Sequence, residues 1–256
     1  MHQVLVTRPQ PNNQRCVTRL QANGYTAIGA PMLDITTSEQ LSQLPALLAS
    51  LDKHSLLVAV SQYAIESCQS YLQQHQLSWP QTTHYLAVGQ ATAECWRQYG
   101  ITPMVPQRQD SEGMLQLIQQ QLSGIKTAYI LRGQQGREWL AEQLQAQGIK
   151  VNYLSCYQRH LINYTQPQLE QWQSQINTIV ATSGEILKHL TTLMSSAQQA
   201  AWLRKTTLLV PSQRLQNYAV SLGFEHIILC NGASDQACVE ALAHTPPLAR
   251  NQHDPE

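Results

Sequence analysis

The chain has 256 residues, 43% of them hydrophobic and only 12% charged, with 16 basic residues balancing 16 acidic ones. The charged share is about half the usual ~25%, and 37 glutamines stand in its place. A neutral chain without basic clusters is a poor match for nucleic acid, whose binding rests on many phosphate contacts, and no apolar run approaches the ~18 residues of a membrane span.

From the amino terminus, Met1–Thr7 pass directly into a strand-like pattern with no apolar leader. Val4-Leu5-Val6 opens a motif that recurs: a short apolar run, a small polar turn, then a helix-like stretch. Here the turn is Thr7-Arg8-Pro9-Gln10-Pro11. Asn23-Gly24 closes the helix, since glycine reaches the left-handed conformation at a C′ position, and Tyr25–Ile28 forms the next strand. Pro31–Thr36 is extended, with no helix until about Leu41. The motif returns at Leu56–Val60 before Ser61-Gln62-Tyr63, and at Tyr85–Val88 before Gly89-Gln90-Ala91-Thr92. Gly100 ends that helix and a strand is predicted over Ile101–Val105. Ala128–Leu131 leads into Arg132-Gly133-Gln134-Gln135-Gly136, Gly148 precedes a strand over Val151–Leu154, and Ser155–Arg159 is a second extended segment. Ile179–Ala181 before Thr182-Ser183-Gly184, and Leu208–Val210 before Pro211-Ser212-Gln213, repeat the motif; Gly223 then precedes a strand over His226–Leu229.

Continuous short apolar runs alternating with helices predict an α/β fold of parallel strands buried on both faces. About ten strands fit two doubly wound, flavodoxin-like or Rossmann-like domains joined by a two-stranded connection. If the two extended segments cross between lobes, residues 1–35 and 160–256 form one discontinuous domain and 36–159 the other. The tail from Pro246 to Glu256 reads as frayed.

In such sheets ligands bind where strand carboxyl ends enter helix N-termini. The six turns lie there, and their backbone N–H groups suit carboxylate or phosphate. The plainer reading of their Ser and Thr residues is helix capping. Arg8 and Arg132 each follow a strand, where they either clamp a carboxylate or lie in solvent. Lys205 precedes a strand, at its opposite end. Tyr157 is either functional or a half-buried strand tyrosine. The six scattered cysteines form no CxxC pair and read as reduced thiols of a cytoplasmic protein. There is no GxGxxG, no GxxxxGK[ST], no HExxH and no GxSxG around Ser183, so dinucleotide, P-loop, zinc-protease and hydrolase chemistry are not expected. Neither a metal nor another cofactor is expected.

Five stretches then stand out in order: Val4-Leu5-Val6-Thr7-Arg8-Pro9, Ala87–Ala93, Ser111-Glu112-Gly113-Met114-Leu115, Ile130–Gly133 with Gly136-Arg137-Glu138, and Cys156-Tyr157-Gln158-Arg159. Through them the chain resembles the uroporphyrinogen-III synthase family over nearly its whole length. The resemblance implies a cofactor-independent enzyme that closes a linear hydroxymethylbilane with loss of water and inversion of ring D. The route passes through an azafulvene cation and a spiro intermediate. It gives Tyr157 the role of proton donor to the leaving hydroxyl, which a phenol protonated at neutral pH can fill. It makes Thr92 a substrate contact, places Ser212 where relatives carry Thr, and places Lys205 at a basic position of the family. Departures are Ala181, Val210 and Ser61-Gln62-Tyr63 in place of Ser-Pro-Asn. With the turns, the expected substrate-binding residues are Thr7, Arg8, Ser61, Gln62, Gly89, Thr92, Arg132, Gly133, Ser183, Gly184 and Ser212. The expected partner is the small-molecule linear tetrapyrrole alone, bound by a cytoplasmic monomer away from membranes and nucleic acid. The rival expectation is a two-lobed polyanion-binding protein without chemistry, using the same helix N-termini.

Overall fold

The computed structural model describes residues 2–246; the tail expected to fray lies, from residue 247 on, outside the described residues. The ten strands are, in chain order, β1 Gln3–Val6, β2 Thr26–Gly29, β3 Leu33–Thr37, β4 Ser55–Ala59, β5 His84–Ala87, β6 Thr127–Gly133, β7 Lys150–Leu161, β8 Thr178–Val180, β9 Thr207–Val210 and β10 Ile227–Leu229. They form two five-stranded sheets, ordered β10-β9-β8-β1-β2 and β3-β7-β6-β4-β5. The first sheet is parallel throughout, and β7, β6, β4 and β5 are parallel in the second. The described chain divides into two compact units: one runs to Asp34 and resumes at His160, and the other spans Ile35–Arg159. Both changes of unit fall within strands, one in β3 and one in β7, which are neighbours in the second sheet.

The apolar runs form two-sided strands because successive side chains point to opposite faces. In the first sheet Leu5, Ile179, Leu208 and Val210 join one core layer, while Val4, Val6, Val180 and Leu209 join the other. In the second, Leu57, Ala59 and Leu131 face one layer and Leu56, Val58, Ala128 and Ile130 the other. Each side chain is at most 3% exposed, worth roughly 1.5–3 kcal/mol apiece for the larger aliphatics. The four glycines expected to end helices, Gly24, Gly100, Gly148 and Gly223, all have positive φ, between 76° and 89°.

Two expectations need correction. Ile101–Val105 is not a strand; it touches the sheet through one bridge, Met104 to Leu86. Met104 exchanges hydrogen bonds with Tyr85 and Ala87, but Pro103 and Pro106 on either side have no N–H to extend the ladder. Ser155–Arg159, in turn, is no separate segment but the continuation of Val151–Leu154 in the twelve-residue β7. Where β7 runs beside β6 the register slips by one residue: Arg132 pairs with Ser155, and Gly133 with Tyr157.

Candidate active site

That slip sets the position of Tyr157. Strict alternation would send Cys156 and Tyr157 to opposite faces, yet Leu154, Cys156 and Tyr157 all join the same core layer. A bulge re-aims side chains in this way and is common beside functional sites. The Tyr157 ring is 2% exposed. Its hydroxyl accepts a hydrogen bond from Ser61 Oγ at 3.1 Å and another from Arg159 Nη2 at 2.9 Å. Tyr63 packs a tilted ring at 5.7 Å, and the Arg159 guanidinium carbon lies 5.3 Å from the centre of the Tyr157 ring. Gly133 makes room: a Cβ there would lie 2.9 Å from Tyr157 Cζ and 3.2 Å from its hydroxyl oxygen. Behind the ring, Cys156 and Cys68 place their sulfurs 3.4 Å apart. Burial, with the hydrogen bond to Cys156, pushes the Cys68 thiol well above its ordinary value, so it stays protonated and is a packing group.

The neighbouring strand ends of this unit are polar. Ser61 caps the helix Gln62–Gln74 by accepting the N–H of Ala64 at 3.2 Å, and Gln62 is that helix's first residue, half-buried. Gly89 precedes the helix Gln90–Arg97, whose first N–H is taken by Gln109 Oε1 at 3.0 Å; a Cβ at Gly89 would collide with that same Gln109 oxygen. Thr92 lies on this helix, 5% exposed. Arg132 stacks its guanidinium 3.9 Å over Tyr153 and donates from Nη2 to Glu138 at 3.1 Å, while Nη1 is buried without a hydrogen-bond partner among the described residues. The Ser111-Glu112-Gly113 stretch is structural. Asp110 caps the helix Ser111–Gln121 at the N–H of Gly113, where a Cβ would collide with the carbonyl of Arg108. Glu112 receives two hydrogen bonds from Arg137, at 2.7 and 3.2 Å. These hold its carboxyl below the ordinary value.

In the other unit the expected residues sit at the carboxyl ends of β1, β8 and β9. Thr7 is fully buried and donates its hydroxyl to the Val180 carbonyl at 2.7 Å. Arg8 pairs with Asp235 at 2.6 Å and with the Ala233 carbonyl at 3.0 Å. Asn13 braces the turn by donating to the carbonyls of Val6 and Arg8. Ser183 and Ser212 are N-caps, accepting the N–H groups of Ile186 and Leu215. Gly184 opens its helix against the Tyr218 ring, 3.3 Å from where a Cβ would stand. Lys205 ends the helix Ala197–Lys205 before β9, exposed at the amino end of that strand.

Of the expected residues, then, the fold gathers Ser61, Gly133 and Tyr157 at one point, and it commits the side chains of Thr7 and Arg8 to protein partners. The sequence reading missed Arg159 as a partner of Tyr157, and also Tyr63, Gln109 and Asp235. Arg159 was accessible from the strand pattern, since positions 157 and 159 share a face at period two. Among the described residues no group of three or more His, Cys, Asp or Glu side chains is placed to hold a metal ion, and no helix is long and apolar enough to cross a membrane.

Polar turns and helix N-termini at the carboxyl ends of doubly wound sheets are the site arrangement of an α/β enzyme. Residues 14–240 match the family model described as uroporphyrinogen-III synthase HemD. The uroporphyrinogen-III synthase of Escherichia coli K12 is 37% identical over 243 residues, covering 93% of this chain and 99% of that one. The protein of the same name from Proteus mirabilis is 33% identical over 73% of this chain and 96% of its own length. In fold, the chain is similar to the uroporphyrinogen III synthase of Thermus thermophilus (TM-score 0.64, 14% identity, 94% of this chain and 99% of that one) and to that of Helicobacter pylori (TM-score 0.55, 14% identity, 94% and 97%). The chain belongs to the uroporphyrinogen-III synthase family. It is a cyclising lyase of tetrapyrrole biosynthesis.

Proposed function

We propose that this enzyme closes linear hydroxymethylbilane to uroporphyrinogen III, with Tyr157 protonating the hydroxyl that leaves. One observation carries the assignment of Tyr157: its hydroxyl oxygen accepts from Ser61 and Arg159, and no acceptor among the described residues takes its proton. A phenol so held, beside the carboxyl end of β6, is a donor awaiting an acceptor. Once the hydroxyl leaves as water, the substrate is an azafulvene cation. Ring D attacks at its substituted carbon to give the spiro intermediate, which reopens and recloses with that ring inverted. The bilane also closes unaided to the uninverted isomer, so the protein's contribution is as much conformational as acidic.

The substrate's eight carboxylates ionise at neutral pH. The N-termini of the helices Gln62–Gln74, Gln90–Arg97, Gly184–Leu193 and Gln213–Ser221 offer backbone N–H groups to them. Arg132 adds a guanidinium with one buried nitrogen that has no hydrogen-bond partner among the described residues. In a chain of zero net charge such local dipoles carry the binding, which makes its salt dependence shallow. We place the enzyme in the cytoplasm, where the six free cysteines stay reduced. We further propose that it works as a monomer without a metal or organic cofactor; among the described residues the exposed large apolar ones, Leu77, Leu161, Val220 and Leu229, are few.

The experiment is to supply hydroxymethylbilane, oxidise the product and identify the porphyrin isomer. Isomer III, formed faster than the spontaneous closure, is expected. Isomer I alone, at the spontaneous rate, overturns the proposal and favours a polyanion-binding protein instead.

A further inference from the structure

We infer that Ser61 and Arg159 are positioning residues for Tyr157, a two-donor cradle that leaves the phenol proton for a third partner and holds the phenolate once that proton has gone. The inference rests on the reading of Tyr157 as proton donor. A phenol oxygen carries one proton and two lone pairs. Arg159 Nη2, 2.9 Å away, can only donate, because a guanidinium has no acceptor. Ser61 also donates to Tyr157. Its oxygen already accepts the N–H of Ala64 at 3.2 Å as the cap of the helix Gln62–Gln74, and its own proton is directed to the phenol at 3.1 Å. With both acceptor positions filled, the proton of Tyr157 is left for a third partner.

In the step itself the proton passes from Tyr157 Oη to the departing hydroxyl oxygen. The carbon–oxygen bond breaks with its electron pair going to oxygen, water leaves, and the positive charge stays on the azafulvene. Tyr157 is left as a phenolate between a hydroxyl donor and a cationic one. Hydrogen bonds to an oxygen that gains charge strengthen as the charge develops, which is the stabilisation that lowers a barrier. The proton lost from the attacking pyrrole at ring closure returns to the phenolate and restores the site. Ser61 is thereby drawn into the reaction by its contact with Tyr157, and Arg159, which no turn motif marks, by the register of β7.

The test compares kcat and KM for Arg159→Met, Arg159→Lys and Ser61→Ala, each in the wild type and in a Tyr157→Phe background. Ser196→Ala serves as a control, since it removes a serine cap, from the helix Ala197–Lys205, without touching the tyrosine. Arg159→Met and Ser61→Ala are expected to lower kcat by about tenfold or more each, the loss of one hydrogen bond to a charged group, with little change in KM. Arg159→Lys recovers part of the rate, and Ser196→Ala keeps it. In the Tyr157→Phe background neither substitution lowers kcat further, because both act through the phenol. If Tyr157→Phe is impaired while Arg159→Met and Ser61→Ala keep wild-type kcat, or if they lower it equally in both backgrounds, the cradle is overturned and the donor role of Tyr157 stands. If Tyr157→Phe itself turns over at the wild-type rate, the donor role falls, and the cradle with it.

Discussion

At the carboxyl end of β1, Arg8 gives its guanidinium to Asp235 and to the Ala233 carbonyl. At the carboxyl end of β6, Arg132 reaches Glu138 with one nitrogen and leaves the other buried without a partner among the described residues. Both arginines stand at the carboxyl end of an interior strand of a five-stranded sheet, and both side chains are 12% exposed. The contrast extends to their neighbours. Thr7 completes the ladder to Val180, whereas Tyr157 keeps a proton that no described residue accepts and Tyr153 has a buried hydroxyl with no partner among the described residues. Among the described residues, four of the five buried polar side-chain atoms without a partner lie in the unit of Tyr157, on Trp96, Arg132, Tyr153 and Ser155, and one, Gln199 Nε2, lies in the other; the unit of Tyr157 holds more polar atoms in reserve. The two units share a plan but differ in how fully they pair their buried polar atoms.

The comparison can be broken most directly at Gly133. A Val side chain there overlaps the Tyr157 ring, and overpacking of this kind costs about 1–3 kcal/mol. Gly133→Val is expected to abolish most isomer III formation, while circular dichroism shows a folded protein. Full activity would mean the ring need not stay where it is.

In the other unit, Asp235→Asn leaves Arg8 without its charge partner in a mostly buried position. The expected cost approaches the roughly 3 kcal/mol lower range for breaking a buried pair, read as a lower urea midpoint, with kcat unchanged in the protein that remains folded. A loss of kcat without loss of stability would move Arg8 from a structural role to chemistry.

The smallest effect concerns the Glu112–Arg137 pair. Its hydrogen bonds lower the Glu112 carboxyl below the ordinary 4.5 in the folded state. A lowered folded value stabilises the protein above pH 4.5, and that contribution disappears as pH falls through the folded value. Glu112→Gln is expected to reduce the thermal midpoint slightly at neutral pH and to flatten its decline below pH 4.5. Parallel wild-type and variant curves would show that the pair contributes nothing.

Much of the fold was legible because its signals are local. The strand Val4–Val6, its counterparts, and the helix-ending glycines each declare themselves within a few residues, and two doubly wound sheets follow from their repetition. Ile101–Val105 misled because apolar content outweighed the prolines around it. The site was legible in part. Ser61, Gly133 and Tyr157 stood in turns and motifs, but that they meet depends on a contact 96 residues apart in sequence and on a bulge in β7. The bulge has no compositional mark. The partner of Arg8 lies 227 residues away, so sequence left its role open between clamp and solvent. The glutamines took no part in the site reading, yet Gln109 caps the helix after Gly89.

The most direct test of the division between the units is the single-turnover rate of isomer III formation by Tyr157→Phe. Among the described residues the removed hydroxyl bonds to Ser61 and Arg159 alone, so the variant should stay folded. A proton donor is worth about a hundredfold or more, and the rate is predicted to fall by that factor. Turnover at the wild-type rate would contradict the account.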